Sequence, residues 1–133
     1  VIRILLDTSA YSAYLRGHEA VGVEVRRADE LVLTPIVFGE LLAGFRKGSR
    51  FPSNLDTLRQ FLASPRVRWV PLDDETGDRY SIIHDTLRRA GNPVPSNDVW
   101  IAASAMQHGL RLLTTDPHYQ QMPQIAVLFH PAA

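Results

Sequence analysis

The stretch Ile2-Arg3-Ile4-Leu5-Leu6, followed at once by Asp7-Thr8-Ser9, decides the fold. A short run of leucine and β-branched residues suits a buried strand. A carboxylate straight after it lies at the strand's C-terminal end, which in an open α/β sheet is the edge where ligands bind. The pattern recurs along the chain. Leu31-Val32-Leu33, Val67 to Val70 and Arg111-Leu112-Leu113-Thr114 read as further strands, and Ile125 to Phe129 as a last one.

Helices separate these runs. Thr8 to Arg16 is capped by Thr8 or Ser9 and ends before Gly17; Glu19 to Ala28 is a second short helix. Thr34-Pro35 starts a helix to about Lys47, with a hydroxyl cap and proline at the first helical position. Ser53 or Asn54 caps another through Leu62. Asp73-Asp74 opens a long helix to about Ala90. Gly91-Asn92-Pro93-Val94-Pro95 is a loop. Ser96 caps a helix over Asn97 to His108, and Asp116-Pro117 turns the chain after the fourth strand. Alternating strands and helices predict an α/β fold with a central parallel sheet and helices on both faces. Right-handed crossovers then set all the strand C-termini along one edge.

The 133 residues predict a single domain spanning 1–133, and a 45% hydrophobic share supplies a sizeable core. No apolar run approaches ~18 residues, so no membrane helix is expected, and the N-terminus does not read as a signal peptide. The absence of cysteine removes disulfides, thiolate zinc sites and cysteine nucleophiles, and fits a cytoplasmic protein. The formal net charge is zero, which argues against simple binding of a nucleic-acid backbone but not against an enzyme that meets phosphates through metal ions. Of the 14 lysines and arginines only Lys47 is a lysine; arginine suits bidentate phosphate contacts, although GC-rich codon usage explains the bias as well.

Four acids invite a common explanation. Asp7 and Asp116 follow strands, where each has a local alternative as a cap or turn residue. Glu40 has Ile36, Val37, Ala43 and Gly44 as its helical neighbours, so its charge sits on a largely apolar, small-residue face. Such a carboxylate needs a cation, hydrogen bonds or protonation, the simplest alternative being an arginine ion pair. Asp98 lies in the first turn of its helix, where the dipole favours an acid. With Ile101, Ala102, Ala105 and Met106 on the following turns, it points inward. Taken together, two acids end strands and two face inward beside them. Carboxylates so close repel strongly, and a divalent cation is the usual remedy. Oxygen donors, with no cysteine and no paired histidines, select Mg²⁺ or Mn²⁺ over zinc.

At this point the chain resembles the PIN-domain ribonucleases, and specifically the VapC toxins of type II toxin–antitoxin systems. The residues that carry the resemblance are Asp7-Thr8-Ser9 after its strand, Thr34-Pro35 with Glu40-Leu41, Pro95-Ser96-Asn97-Asp98 with Ile101-Ala102-Ala103, and Leu113-Thr114-Thr115-Asp116. Their order and spacing span nearly the whole chain. Tyr119 stands where the family often has phenylalanine, a departure that changes only the aromatic type.

The resemblance implies a PIN-like three-layer fold and a catalytic quartet of Asp7, Glu40, Asp98 and Asp116. It implies an Mg²⁺-dependent endoribonuclease, with Mn²⁺ able to substitute, that leaves 5′-phosphate and 3′-hydroxyl ends and inhibits translation. It also implies a VapB-type antitoxin whose C-terminal segment blocks the site, homodimers, an RNA substrate (tRNA, rRNA or mRNA), no membrane, and a cytoplasmic setting in a bacterium or archaeon. On this basis Asp7, Asp98 and Asp116 hold the metal, and Glu40 either ligates through water or orients the attacking water. Ser9 and Thr114 fix the carboxylates, or else serve local turns and caps.

Other residues carry weaker signals, and substrate-binding residues are not legible. Arg46, Lys47 and Arg50 either hold RNA phosphates or complement the helix end, as do Arg88 and Arg89. His18, His84, His108, His118 and His130 share no ligand spacing and read as surface or packing residues. Trp69 and Trp100 read as core or interface. A phosphoacceptor receiver domain would need an acid pair after the first strand, where Leu6 precedes Asp7. A haloacid-dehalogenase-type phosphatase would need a second aspartate at the position of Ser9. The remaining alternative is a catalytically silent PIN-fold protein that only binds RNA or a partner.

Overall fold

A computed structural model describes residues 1–132. Five strands form one parallel sheet: β1 (Arg3–Leu6), β2 (Glu30–Leu33), β3 (Val67–Trp69), β4 (Arg111–Thr114) and β5 (Ala126–Phe129), in the order β3-β2-β1-β4-β5. The central strands have no polar alternation because both faces are covered. Ile4, Leu5 and Leu6 of β1, Leu31, Val32 and Leu33 of β2, and Leu112 and Leu113 of β4 are all buried. Edge strand β3 instead exposes Arg68 and Trp69; the Trp69 ring meets Phe38 edge-on at 5.3 Å between centroids. Leu112→Ala at the sheet's centre is expected to cost about 3 kcal/mol, read as a lowered denaturant midpoint with unchanged slope.

The helices are α1 (Thr8–Leu15), α2 (Glu19–Arg27), α3 (Pro35–Lys47), α4 (Phe51–Leu62), α5 (Asp74–Ala90) and α6 (Ser96–His108). Right-handed crossovers put α1 to α4 on one face and the packed pair α5 and α6 on the other. Between β1 and β4 the chain changes face, so the loops after these strands diverge and leave a crevice at their C-terminal ends. Among the described residues no helix is long and apolar enough to cross a membrane.

Several helix starts differ from expectation, each for a local reason. Asp7, rather than Thr8 or Ser9, caps α1: its side chain accepts from the Ala10 N–H. Helix α4 begins at Phe51, ahead of Ser53 and Asn54, because Pro52 in its first turn costs no hydrogen bond. Pro95 stands at the N-cap of α6, which places Ser96 inside the helix; its hydroxyl pairs with Tyr80 Oη at 3.0 Å instead of capping. The segment after Asp116-Pro117 is a 3₁₀ helix, Pro117–Gln121, capped by the Asp116 side chain.

Candidate active site

The crevice at the end of β1 and β4 gathers the acids. Asp7 is its buried member, at 3% exposure. Oδ1 accepts from Ala10 N–H and Ser9 Oγ, both at 2.8 Å, and Oδ2 accepts from Thr114 Oγ1 at 2.6 Å and lies 2.9 Å from Ser9 Oγ. The two hydroxyls are themselves aimed by backbone. Thr115 N–H donates to Ser9 Oγ at 3.0 Å, and Asp116 N–H donates to Thr114 Oγ1 at 2.9 Å. Each hydroxyl thus accepts from the β4 exit and donates to Asp7, a use beyond local capping. Each carboxylate oxygen has two such neighbours, the Ser9 hydroxyl being shared between them, so the orientation of the group is fixed. Burial pushes the Asp7 carboxyl up to about 6, against the lowering effect of the Thr114, Ala10 and Ser9 hydrogen bonds; the nearby charge of Asp116 adds to the rise.

Asp98 projects from the first turn of α6 with its side chain 15% exposed. Its Oδ1 accepts from Tyr119 Oη at 3.3 Å, and Oδ2 lies 3.2 Å from His118 Nδ1. Desolvation raises its carboxyl above the ordinary range, with Asp116 adding repulsion and the His118 and Tyr119 hydrogen bonds opposing. Asp116 Oδ1 accepts from the His118 backbone N–H at 2.9 Å and lies 3.3 Å from His118 Nδ1.

Glu40 approaches from α3 and is half-buried, and its surroundings correct the expected apolar face. Gly39, Ala43 and Gly44 are exposed, so the face opens on solvent, in a shallow groove lined also by Pro35, Ile36 and Asn97. Hydrogen bonds compensate its charge: Oε1 accepts from the Thr8 hydroxyl and Oε2 from Asn97 Nδ2 at 3.2 Å. No arginine ion pair to Glu40 occurs among the described residues.

Tyr119 touches Asp98 and lies within electrostatic reach of the other three acids. Its buried phenol is pushed far above its ordinary range, first by burial and then by the charges of Asp7, Asp98, Asp116 and Glu40 together. The departure from phenylalanine therefore changes more than aromatic type, because its hydroxyl holds Asp98. The compact donor cluster also differs from expectation. Among the described residues, Asp98, Asp116 and His118 form the set of three whose ligand atoms lie within 4.8 Å of one another. Asp7 and Glu40 flank that set. His118 is thus not a mere surface or packing residue. Its signal was present in Asp116-Pro117, a cap and first-turn proline that start a helix and fold the imidazole back over the acids.

The remaining expected groups lie apart from the cluster. Arg46, Lys47 and Arg50 are exposed beyond the Glu40 turn, and the Arg46 guanidinium stacks 4.1 Å above the Phe51 ring. Trp100 packs on Tyr80 at 4.2 Å between centroids, whereas Trp69 is half-exposed rather than core.

A concave edge with four acids of which two have raised carboxyl pKa values, and a trio at ligand separation, suits a divalent cation. Comparison with known proteins agrees. The PIN domain family matches residues 4–125. Ribonuclease VapC4 of Mycobacterium tuberculosis (strain ATCC 25618 / H37Rv) is 30% identical over 135 residues, which covers 96% of this chain and 97% of that protein. Ribonuclease VapC11 of the same strain is 33% identical over 133 residues, with 94% and 95% covered. Among solved structures, VapBC2 from Rickettsia felis bound to a DNA fragment from its promoter superposes with a TM-score of 0.84 at 18% identity, covering 97% of this chain and 99% of that one, a likeness of fold.

Proposed function

This chain belongs to the PIN-domain family and, within it, to the VapC ribonucleases, and we propose on that premise that it is the toxin of a type II toxin–antitoxin pair. Its residues 1–133 act as a single PIN domain that hydrolyses RNA phosphodiester bonds endonucleolytically and so inhibits translation. The observation that carries this is the convergence of Asp7, Glu40, Asp98 and Asp116 around one phenol at the crevice between β1 and β4.

Asp7, Asp98 and Asp116 hold the divalent cation, which is Mg²⁺ with Mn²⁺ able to replace it. When bound, that ion supplies Lewis-acid polarisation of the phosphate and acidifies the attacking water. Asp7 contributes a carboxylate whose orientation Thr114 and Ser9 keep fixed. Tyr119 locks Asp98 through Oδ1. Glu40, aimed by Thr8 and Asn97, orients the water for in-line attack. The bond from phosphorus to the 3′ oxygen breaks, leaving 5′-phosphate and 3′-hydroxyl ends. The partner is a VapB-type antitoxin whose C-terminal segment covers the crevice, and the setting is the cytoplasm of a bacterium or archaeon. Homodimers are the expected assembly. The solved VapBC complexes of the same fold support this partnership.

The test is cleavage of total cellular RNA by antitoxin-free protein with Mg²⁺ or with EDTA, beside Asp98→Asn. Discrete fragments that vanish with EDTA and in the variant are expected, and mapped ends identify tRNA, rRNA or mRNA as the target. Equal cutting by both proteins overturns the proposal. Metal binding with no cut in any RNA would point to a silent binding protein.

A further inference from the structure

We infer that His118 Nδ1 is a direct ligand of the metal held by Asp98 and Asp116, so that the centre carries a nitrogen donor and binds Mn²⁺ more tightly than Mg²⁺. This rests on the proposed metal site and goes beyond it, since that site drew its ligands from oxygen alone.

The geometry leads to it. Nδ1 lies 3.2 Å from Asp98 Oδ2 and 3.3 Å from Asp116 Oδ1. Two donors bound at right angles to one cation at about 2.1 Å stand about 3 Å apart, so both separations fit adjacent positions of an octahedron. A proton on Nδ1 would fill the space between the carboxylates. With the ring proton on Nε2, Nδ1 instead turns a lone pair to the same point. The ring is held there by its own backbone: the His118 N–H donates to Asp116 Oδ1, and the residue sits in the first turn of the 3₁₀ helix that Asp116 caps. At 42% exposure the side chain is open to an arriving ion. Tyr119, next along the turn, ties up the other oxygen of Asp98 and leaves Oδ2 to the shared site. Imidazole nitrogen is a softer donor than carboxylate, and it favours transition-metal ions over Mg²⁺, which prefers oxygen and water.

Antitoxin-free full-length protein loaded with Mn²⁺ in imidazole-free buffer tests this by electron spin echo envelope modulation. Nitrogen-14 modulation is expected from the wild type, replaced by a nitrogen-15 pattern when histidine is labelled. It should be lost in His118→Asn and His118→Ala. Asparagine offers an amide oxygen at the same position in place of the ring nitrogen, so it keeps a donor to the ion but not the nitrogen signal. Mn²⁺ affinity in both variants should fall by about tenfold or more, a scale reached even by loss of a partner outside the ligand set. Mg²⁺ affinity of the asparagine variant should change by less than about threefold, since an amide oxygen suits that ion. Mn²⁺ bound by the wild type without nitrogen modulation overturns the inference and leaves the metal site standing. A wild type that binds no divalent ion overturns both. Absence of nitrogen modulation in the wild type is decisive by itself, and the two variants assign a positive signal to His118.

Discussion

Asp7→Asn is expected to lower RNA cleavage by roughly 10³-fold, near the upper end of what loss of one preorganised electrostatic group costs, while raising the melting temperature in EDTA at pH 7.5. The two effects share one cause. Asp7 is buried at 3% exposure and its carboxyl is pushed up to about 6. At pH 7.5 the folded protein therefore carries a charge that burial disfavours. A folded value raised above the unfolded one means that the group's contribution to stability is fully present below about pH 4. It is lost as the pH rises through about 6. The amplitude is about 3 kcal/mol. Asparagine removes the charge but turns an amide N–H toward the Ser9 and Thr114 hydroxyls, which must reorient. The net gain is about 1–2 kcal/mol, or ~4–8 °C.

Thermal unfolding of both proteins in EDTA from pH 4 to 8 checks this. The difference between them should be near its minimum at pH 4 and grow through pH 6. Subtracting the curves matters because Asp98 shifts in the same sense as Asp7, while Asp73 and Asp85 are held below their ordinary range and lose their contribution as the pH falls. A variant less stable than wild type at pH 7.5 would mean that the hydrogen bonds, not the burial, dominate at Asp7.

Thr114→Val should damage stability and cleavage together. The residue is fully buried, donates to Asp7 at 2.6 Å and accepts from Asp116 N–H at 2.9 Å. Valine fills the same volume and supplies neither bond. A buried carboxylate loses a donor and a backbone N–H loses its acceptor, for a combined cost of about 3 kcal/mol. Cleavage should fall 10–100-fold, because Asp7 and Asp116 both lose their alignment. Thr114→Ser keeps the hydroxyl and should recover most of the activity, with a smaller stability loss from the missing methyl. Equal loss in both variants would assign the effect to packing.

The elements that build the site were legible because each has a strong local signal. The first strand set the reading, and Leu31-Val32-Leu33 and Leu112-Leu113 repeated it: like Ile4-Leu5-Leu6 they lack alternation, as strands covered on both faces must. Thr34-Pro35 marked the start of α3. The acids' positions followed from the strand ends and from helical spacing. What escaped was decided by tertiary closure. His118 has no ligand partner at helical spacing; its neighbours Asp98 and Asp116 come from α6 and from the β4 exit. Asn97 and Thr8 touch Glu40 only because α1, α3 and α6 meet at the crevice. The exposed side of α3 around Glu40 was misjudged because small apolar residues read alike in a core and beside an open groove.

The sheet order has a consequence for the life of the chain. Strand β4 inserts next to β1 although more than a hundred residues separate Asp7 from its Thr114 and Asp116 partners. During synthesis the ribosome releases Asp7 and Glu40 early, and Asp98, Asp116 and His118 much later. A nascent chain that has emerged through α5 has half of the acids, and none of the β4 hydroxyl and amide groups that hold Asp7. The site closes only when β4 inserts beside β1 and β5 beside β4, so every nascent chain too short to reach β4 is without it.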